Sequence, residues 1–72
     1  MSIINEIFNA RQCALNENYN EALSSYQNAL NEIDNEIAIC HDPAQDKNWK
    51  NMRLEIKEEM RTIQQIIDAS KT

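Results

Sequence analysis

The stretch from residue 14 to residue 30 constrains the fold more than any other part of the sequence. Small and aromatic residues alternate along one face of it at helical spacing: Ala14, Tyr19, Ala22, Tyr26 and Ala29. Small residues let two helix backbones approach closely, and aromatic side chains fill the space beside them. The polar run Asn16-Glu17-Asn18 interrupts the pattern once. The stretch therefore predicts two antiparallel helices joined by a tight turn.

Apolar residues at three-and-four spacing extend this hairpin to three helices, at about residues 3–16, 19–39 and 43–69. Short turns between long amphipathic helices make neighbours pack antiparallel. The sequence therefore predicts an all-α, antiparallel three-helix bundle that forms a single domain over residues 1–72, consisting of a hairpin and a long third helix. We expect the isolated domain to be monomeric.

The apolar stripes also predict the core. We expect five residues to be largely buried: Phe8, Tyr26, Ile33, Ile56 and Ile63. The predicted inner face of helix 1 consists of Ile4, Ile7, Phe8, Arg11, Ala14 and Leu15, which places Cys13 roughly opposite the core. The predicted inner face of helix 3 consists of Trp49, Met52, Ile56, Met60, Ile63 and Ile67.

Residues at the predicted helix ends indicate how each helix starts. Ser2, Asn18 and Asp42 stand at the expected N-caps, and Pro43 follows at a first helical position. Glu21, three residues after Asn18, would complete a capping box. An asparagine of the turn is expected to adopt the left-handed conformation that glycine usually supplies, because the chain contains no glycine.

Composition excludes several classes of function. Without glycine there is no glycine-rich phosphate loop, and a chain of 72 residues leaves little room for a substrate cleft. We therefore expect no enzyme activity and no cofactor. The formal net charge of −5 argues against nucleic-acid binding. No apolar run is long enough to cross a bilayer, so no membrane insertion is expected.

The cysteine and histidine residues do not suggest a metal site. Cys40, His41 and Asp42 are consecutive and cannot surround an ion, and no distant ligand cluster accompanies them. Cys13 and Cys40 lie near opposite ends of the predicted bundle, too far apart for a disulfide. We expect two reduced thiols and no bound metal.

The charge is divided unevenly along the chain. Residues 1–46 hold eight acids and one base, whereas residues 47–72 hold six bases and four acids. On a wheel advancing about 100° per residue, five residues of helix 3 share one arc, and we name them the basic stripe: Lys50, Arg53, Leu54, Lys57 and Arg61. They are the candidate partner-binding residues. The alternative is that Arg53 and Lys57 pair with hairpin acids such as Glu32 or Glu36.

Several short segments follow one another in a recognisable order: Ala10-Arg11, Ala14-Leu15, Asn18-Tyr19, Ala22, Tyr26-Gln27 and Leu30, followed by Lys47-Asn48-Trp49-Lys50 and Glu55-Ile56. This order resembles the MIT (microtubule-interacting and trafficking) family, and within it the N-terminal domains of katanin catalytic subunits. It implies a non-catalytic recruiting module of a microtubule-severing AAA ATPase. The implied partners are the C-terminal helical region of the katanin regulatory subunit and microtubules or tubulin, in a cytoplasmic, cytoskeleton-associated location.

Two alternatives remain from the sequence. MIT domains that bind ESCRT tails place a leucine and an acid on the groove side of helix 3, where this chain has Lys57 and Arg61. The hairpin also resembles a tetratricopeptide unit, although its 34-residue repeat occurs only once here. A structural adaptor unconnected with an ATPase is therefore the other alternative.

Overall fold

The computed structural model describes residues 2–71, and within them it contains three helices and no strand. The helices are α1 (Ile3–Leu15), α2 (Tyr19–Ile39) and α3 (Pro43–Ser70). The predicted all-α three-helix bundle is confirmed. None of the helices in the described part is long and apolar enough to span a membrane.

The second helix is the centre of the bundle. It packs against α1 on one side and α3 on the other, whereas the backbones of α1 and α3 come close to each other at few points. Ala10, Ala22 and Ala29 have no exposed surface, so the backbones of α1 and α2 lie close together. Tyr26, Ile33 and Ile56 are the largest fully buried side chains, and they join α2 to α3. At about 25 cal/mol per Å² of buried apolar surface, these contacts stabilise the fold.

Four of the five expected core residues, Tyr26, Ile33, Ile56 and Ile63, are buried. The prediction for the fifth is wrong, because 64% of Phe8 is exposed. On α3, the other predicted inward residues are partly buried and pack against the core, namely Trp49, Met52, Met60 and Ile67.

The error at Phe8 arises because α1 carries two apolar stripes, one residue apart. We call them the inner seam (Ile3, Ile7, Ala10 and Ala14) and the outer seam (Ile4, Phe8, Arg11 and Leu15). The inner seam packs into the core. The outer seam lies about 100° further round the helix, where no described element covers it, and its three apolar residues are 64–77% exposed.

Because the inner seam and not the outer seam packs into the core, the environment of Cys13 also differs from the expected one. The expectation that it points away from the core is wrong, because it is half-buried and packs against the core cluster. Both cysteines are free thiols.

The turn between α1 and α2 is a Schellman motif with an unexpected residue at its centre. Asn18 N–H donates to the Cys13 carbonyl at 2.8 Å, and Glu17 N–H donates to the Ala14 carbonyl at 3.1 Å. Glu17, rather than either asparagine, adopts positive φ, at 64°. Because a side chain with a Cβ is strained in this conformation, the turn carries a cost of about 1–2 kcal/mol.

The helix starts follow the sequence only in part. Ser2 and Asn18 occupy N-cap positions, but neither side chain makes a capping hydrogen bond, so the predicted box with Glu21 does not form. Asp42 does cap α3, since its carboxylate accepts a hydrogen bond from Ala44 N–H at 3.0 Å. Pro43 is the first residue of that helix, where its missing N–H has no consequence.

Candidate functional site

A groove runs between α1 and α3, and most of its lining is apolar. We call it the apolar groove. Its larger compartment has a volume of about 420 Å³ and is lined by Arg11, Ala14, Leu15, Tyr19, Tyr26, Glu59, Thr62, Ile63 and Ile66. Its smaller compartment, about 200 Å³, lies beside Ile4, Ile7, Phe8, Arg11, Met52, Glu55 and Ile56. The outer seam therefore forms one wall of the groove, and α3 forms the other.

A polar cluster separates the two compartments and links all three helices. Glu59 of α3 accepts two hydrogen bonds from Arg11 of α1, from Nε and from Nη2, each 2.8 Å long. The Tyr26 hydroxyl of α2 donates a third, to Glu59 Oε1, also at 2.8 Å. We call these three residues the clasp. The clasp therefore joins α1 to α3 across the groove, where their backbones come close at few points.

The clasp shifts the ionisation of each of its members. Hydrogen bonds from Arg11 lower the pKa of Glu59 and outweigh the opposing effect of partial burial. Burial raises the pKa of Tyr26 to about 12, and its hydrogen bond to Glu59 adds to the shift. The bond to Glu59 likewise raises the pKa of Arg11. Glu59 is therefore ionised and Tyr26 is neutral at physiological pH.

A second groove runs between α2 and α3 and has a different lining. We call it the cationic groove, because Lys57 and Arg61 stand on its α3 wall. It encloses about 600 Å³ and is otherwise lined by Asn20, Leu23, Ser24, Gln27, Leu30, Met60 and Gln64. Neither cation forms an ion pair within residues 2–71. Their charges are therefore available to a binding partner.

The structure divides the predicted basic stripe. Lys50 pairs with Asp46 one turn earlier, at 2.8 Å, and Arg53 pairs with Asp34 of α2, at 3.1 Å. The suggested pairing of Arg53 with a hairpin acid is thus right in kind, but the acid is Asp34 rather than Glu32 or Glu36. Leu54 is 62% exposed, as its position on the wheel predicts. Only Lys57 and Arg61 come together at a groove.

The sequence analysis missed the apolar groove because it assigned the outer seam to the core. The sequence does contain a feature that points to this groove: both seams of α1 have the same 4–3–4 spacing. A helix cannot bury two such stripes against a single neighbouring helix. From the sequence, Glu55, Glu58 and Glu59 of α3 are interpreted as a solvated face with no pocket around it. In the structure they form an acidic edge, and Glu59 lines the large compartment of the apolar groove. Glu55 lines the small compartment, and Glu58 lies on the same edge, four residues before Thr62 of the large one.

The arrangement offers surfaces for binding. Across the described residues, no group of three or more His, Cys, Asp or Glu side chains could hold a metal ion. The pKa shifts within residues 2–71 fall on the clasp residues, which pair with one another. What the surface offers a partner is exposed apolar area in one groove and unpaired positive charge in the other.

A family model described as the MIT domain of katanin p60 subunit A1 matches residues 3–66, which include both grooves and the clasp. A comparison with curated proteins finds no match.

Proposed function

The chain belongs to the family of katanin p60 MIT domains, and from this premise we propose that it recruits a microtubule-severing AAA ATPase to its partners. MIT domains are non-catalytic protein-interaction modules. In the proposed role, the three helices act as one docking unit and perform no bond chemistry. The severing motor would lie elsewhere in the protein, and the complex would work in the cytoplasm on the cytoskeleton.

The first proposed partner is the C-terminal helical region of the katanin regulatory subunit. The observation that carries this proposal is the open apolar groove, where Ile4, Phe8 and Leu15 expose 64–77% of their surface. Contiguous apolar surface of this kind marks an interaction site, because its burial is favourable. Calorimetry with that region should give a saturable one-to-one complex. Absence of binding would overturn this part of the proposal.

The second proposed partner is the microtubule surface, which we expect the basic stripe to contact: Lys50, Arg53, Leu54, Lys57 and Arg61. Tubulin tails are acidic, and the cations of the stripe can attract them although the chain has a net charge of −5. Screening limits each charge to a range of about 8 Å at physiological salt, so the local field decides the interaction. The unpaired Lys57 and Arg61 should contribute more than Lys50 and Arg53, which are already paired.

Charge reversal tests the second contact. Lys57→Glu combined with Arg61→Glu should weaken microtubule co-sedimentation, and binding by the parent should fall as salt is raised. Lys47→Glu combined with Lys71→Glu is the matched control, because it makes the same change in net charge at exposed residues outside the groove. Equal loss in both variants would mean that net charge, and not the cationic groove, governs binding.

Leu54 tests whether the stripe also needs its apolar member. Since Leu54 is 62% exposed, Leu54→Asp should leave helicity and melting temperature nearly unchanged. It should reduce microtubule association. If association stays at the parent level, the contact is purely electrostatic and Leu54 does not belong to it.

The same two cations distinguish this proposal from the ESCRT-tail alternative. Lys57 and Arg61 stand on the α3 wall of the cationic groove, where tail-binding members have a leucine and an acid. The lining therefore supports acidic partners over ESCRT tails. Membership of the MIT family replaces the tetratricopeptide adaptor as an explanation of the hairpin.

A further inference from the structure

We propose that two copies of this chain can exchange their first helices, so that α1 of each copy packs on α2 and α3 of the other. The hinge of this exchange is the turn at residues 16–18. The product is a domain-swapped dimer, in which each copy supplies one element of the other's bundle. The proposal rests on the hinge and on the packing of α1, and it does not depend on the partners proposed above.

The hinge holds the monomer in a strained conformation. Glu17 has φ 64°, which strains any residue that has a Cβ. Asn18, next to it, occupies the N-cap of α2 without making a side-chain capping hydrogen bond, so the first N–H groups of that helix lack the acceptor that a cap supplies. Short hinges under strain favour domain swapping, because opening the hinge removes the strain.

The sequence of the hinge does not stop a helix from passing through it. Glycine and proline are the residues that most disfavour a helix interior. The chain has no glycine, and its single proline is Pro43, which follows α2. If Glu17 adopted right-handed φ and ψ, α1 and α2 would join into one helix over residues 3–39, about 55 Å long at 1.5 Å per residue.

The hydrogen bonds around the hinge show how little would have to change. The helical pattern of α1 continues to Asn16, whose N–H donates to the Gln12 carbonyl at 3.1 Å. It resumes where the N–H of Ala22 donates to the Asn18 carbonyl at 2.9 Å. In a joined helix, the N–H groups between these points would gain carbonyl acceptors one turn earlier in the chain.

The packing of α1 on α2 is symmetric about the hinge. Asn9 Nδ2 donates to Ser25 Oγ at 3.0 Å, and these residues are 16 positions apart with Glu17 midway between them. Cys13 and Glu21 line one pocket between the two helices and also have Glu17 midway. Two joined helices related by a two-fold axis near Glu17 can therefore run antiparallel in the register that the monomer already uses.

The contacts of α1 would be formed again in the dimer. Its inner seam packs into the core, and Arg11 binds Glu59 across the apolar groove. In the dimer, Arg11 of one copy would bind Glu59 of the other, and the inner seam would fill the same core. The two forms therefore differ mainly in the energy of the hinge and in the freedom lost on association.

The same two quantities make the monomer the main form at low concentration. Asn16 and Asn18 are weak helix formers, and association costs translational and rotational freedom. The dimer should therefore accumulate when the chain refolds at high concentration, where α1 of a second copy competes with the chain's own α1.

Two hinge variants with opposite expected effects test the mechanism. Asn16→Ala combined with Asn18→Ala favours the joined helix, because alanine is the strongest helix former. Each dimer contains two hinges, so the change acts twice and should lower the dissociation constant by about tenfold or more. Glu17→Gly should raise the dissociation constant by about tenfold, because glycine relieves the strain in the monomer and is unfavourable within a helix. Size-exclusion chromatography after refolding over a range of concentrations measures both.

Asn48→Ala combined with Asn51→Ala is the matched control. Both residues are exposed asparagines of α3, outside the hinge, so the control makes the same substitutions without changing the path between α1 and α2. It should dimerise as the parent does. The proposal is overturned if the alanine hinge variant stays monomeric at millimolar concentration, or if the control dimerises as strongly as the hinge variant.

Mixing two clasp variants tests whether α1 is the element exchanged. In the background of the alanine hinge variant, Arg11→Glu and Glu59→Arg each place like charges in the clasp of any monomer or homodimer. A swapped heterodimer of the two would contain one parental clasp and one with its charges reversed. Refolding the two variants together should therefore give the heterodimer in about tenfold excess over either homodimer. A statistical mixture of the three dimers would overturn the exchange of α1.

Phe8→Asp separates this dimer from one formed through the apolar groove. Phe8 is 64% exposed in the monomer, and it stays exposed in the swapped dimer because the outer seam takes no part in the exchange. In the alanine hinge variant, Phe8→Asp should therefore leave the dissociation constant of the dimer unchanged. A loss of dimer in this variant would mean that the outer seam forms the interface, and would overturn the proposal.

Discussion

The two grooves flank the same helix, yet they differ in almost every property that a partner would sense. The apolar groove exposes aliphatic and aromatic side chains and has acids on its α3 wall. The cationic groove is lined largely by polar residues and has unpaired cations on its α3 wall. The difference comes from α3, which carries Glu55, Glu58 and Glu59 on one edge and Lys50, Arg53, Lys57 and Arg61 on the other.

The comparison shows why a net charge describes this chain poorly. The net charge of the chain is negative, but α3 carries two surfaces of opposite sign. The helix with its side chains is about 10–12 Å across, which is more than the screening length of about 8 Å at physiological salt. Each surface can therefore select partners by its local field. Opposite grooves can also be occupied at the same time, because they share α3 without sharing any groove-lining residue.

The change with the largest expected effect would destroy both grooves together. Ile33 has no exposed surface and lies in the central helix, so Ile33→Ala should lower the free energy of unfolding by about 2–5 kcal/mol. Denaturant titration measures this loss, and binding in both grooves should fall together. Ile39→Ala, at a position that is 67% exposed, is the control and should change stability little.

A smaller change should affect one groove only. Glu59→Gln removes the charge that Arg11 pairs with and weakens the acceptor for the Tyr26 hydroxyl. We expect a loss of about 1–2 kcal/mol in the free energy of unfolding, together with altered binding in the apolar groove. Microtubule association through the cationic groove should be unchanged. If Glu59→Gln changes binding in the apolar groove and microtubule association equally, the two grooves are not independent.

The same carboxylate predicts the response to pH. Because the folded-state pKa of Glu59 is lowered, its ionised form adds stability at neutral pH that is lost as pH falls through that pKa. At the alkaline end, the pKa of Tyr26 is raised to about 12. Its contribution is therefore complete below pH ~10 and lost between pH ~10 and ~12. The melting temperature, measured across pH, should fall at both the acid and the alkaline end. Glu59→Gln should reduce the fall at the acid end.

A change in the turn should affect neither groove. Glu17→Gly relieves the left-handed strain at φ 64°, partly offset by the greater freedom of glycine in the unfolded chain. We expect a gain of about 1 kcal/mol or less in the free energy of unfolding. Thermal denaturation measures it, and binding to either partner should be unaltered. Glu17→Ala is the control and should not give this gain.

The smallest expected effect lies within the basic stripe. Lys50 pairs with Asp46 on the surface, so Lys50→Gln should change stability by less than about 0.5 kcal/mol. It should weaken microtubule association less than Lys57→Gln does, because Lys57 forms no ion pair within residues 2–71 that binding would have to break. Co-sedimentation of the two variants compares them directly, and equal loss would mean that pairing does not matter.

Much of the architecture could be predicted from the sequence because α2 and α3 each bear one dominant apolar stripe. Ile33, Ile56 and Ile63 lie in such stripes, and all three are buried. The start of α3 could also be predicted, because Asp42 and Pro43 are residues that favour a helix start whatever packs against the helix.

The apolar groove could not be predicted in the same way. A helical wheel shows which residues share a face, but it does not show whether a neighbouring helix covers that face. Phe8 and Ile7 look equivalent in the sequence, and only the position of α2 makes one exposed and the other buried. The partner of Arg53 was missed for a similar reason, because the sequence does not show which side of α2 faces α3. Asp34, the acid that pairs with Arg53, lies about 160° round the helix from Glu32.

The short turn after α1 also sets the rotational phase of that helix. Inserting one residue between Leu15 and Asn16 would turn α1 by about 100° and bring Ile4, Phe8, Arg11 and Leu15 to the positions that face α2. The outer seam would then take the place of the inner seam, and three of its four residues would put one apolar side chain where another had been. Arg11 opposes this phase, because a guanidinium would occupy the site where Ala10 has no exposed surface. One arginine thus lets the chain distinguish its correct phase from the nearest wrong one.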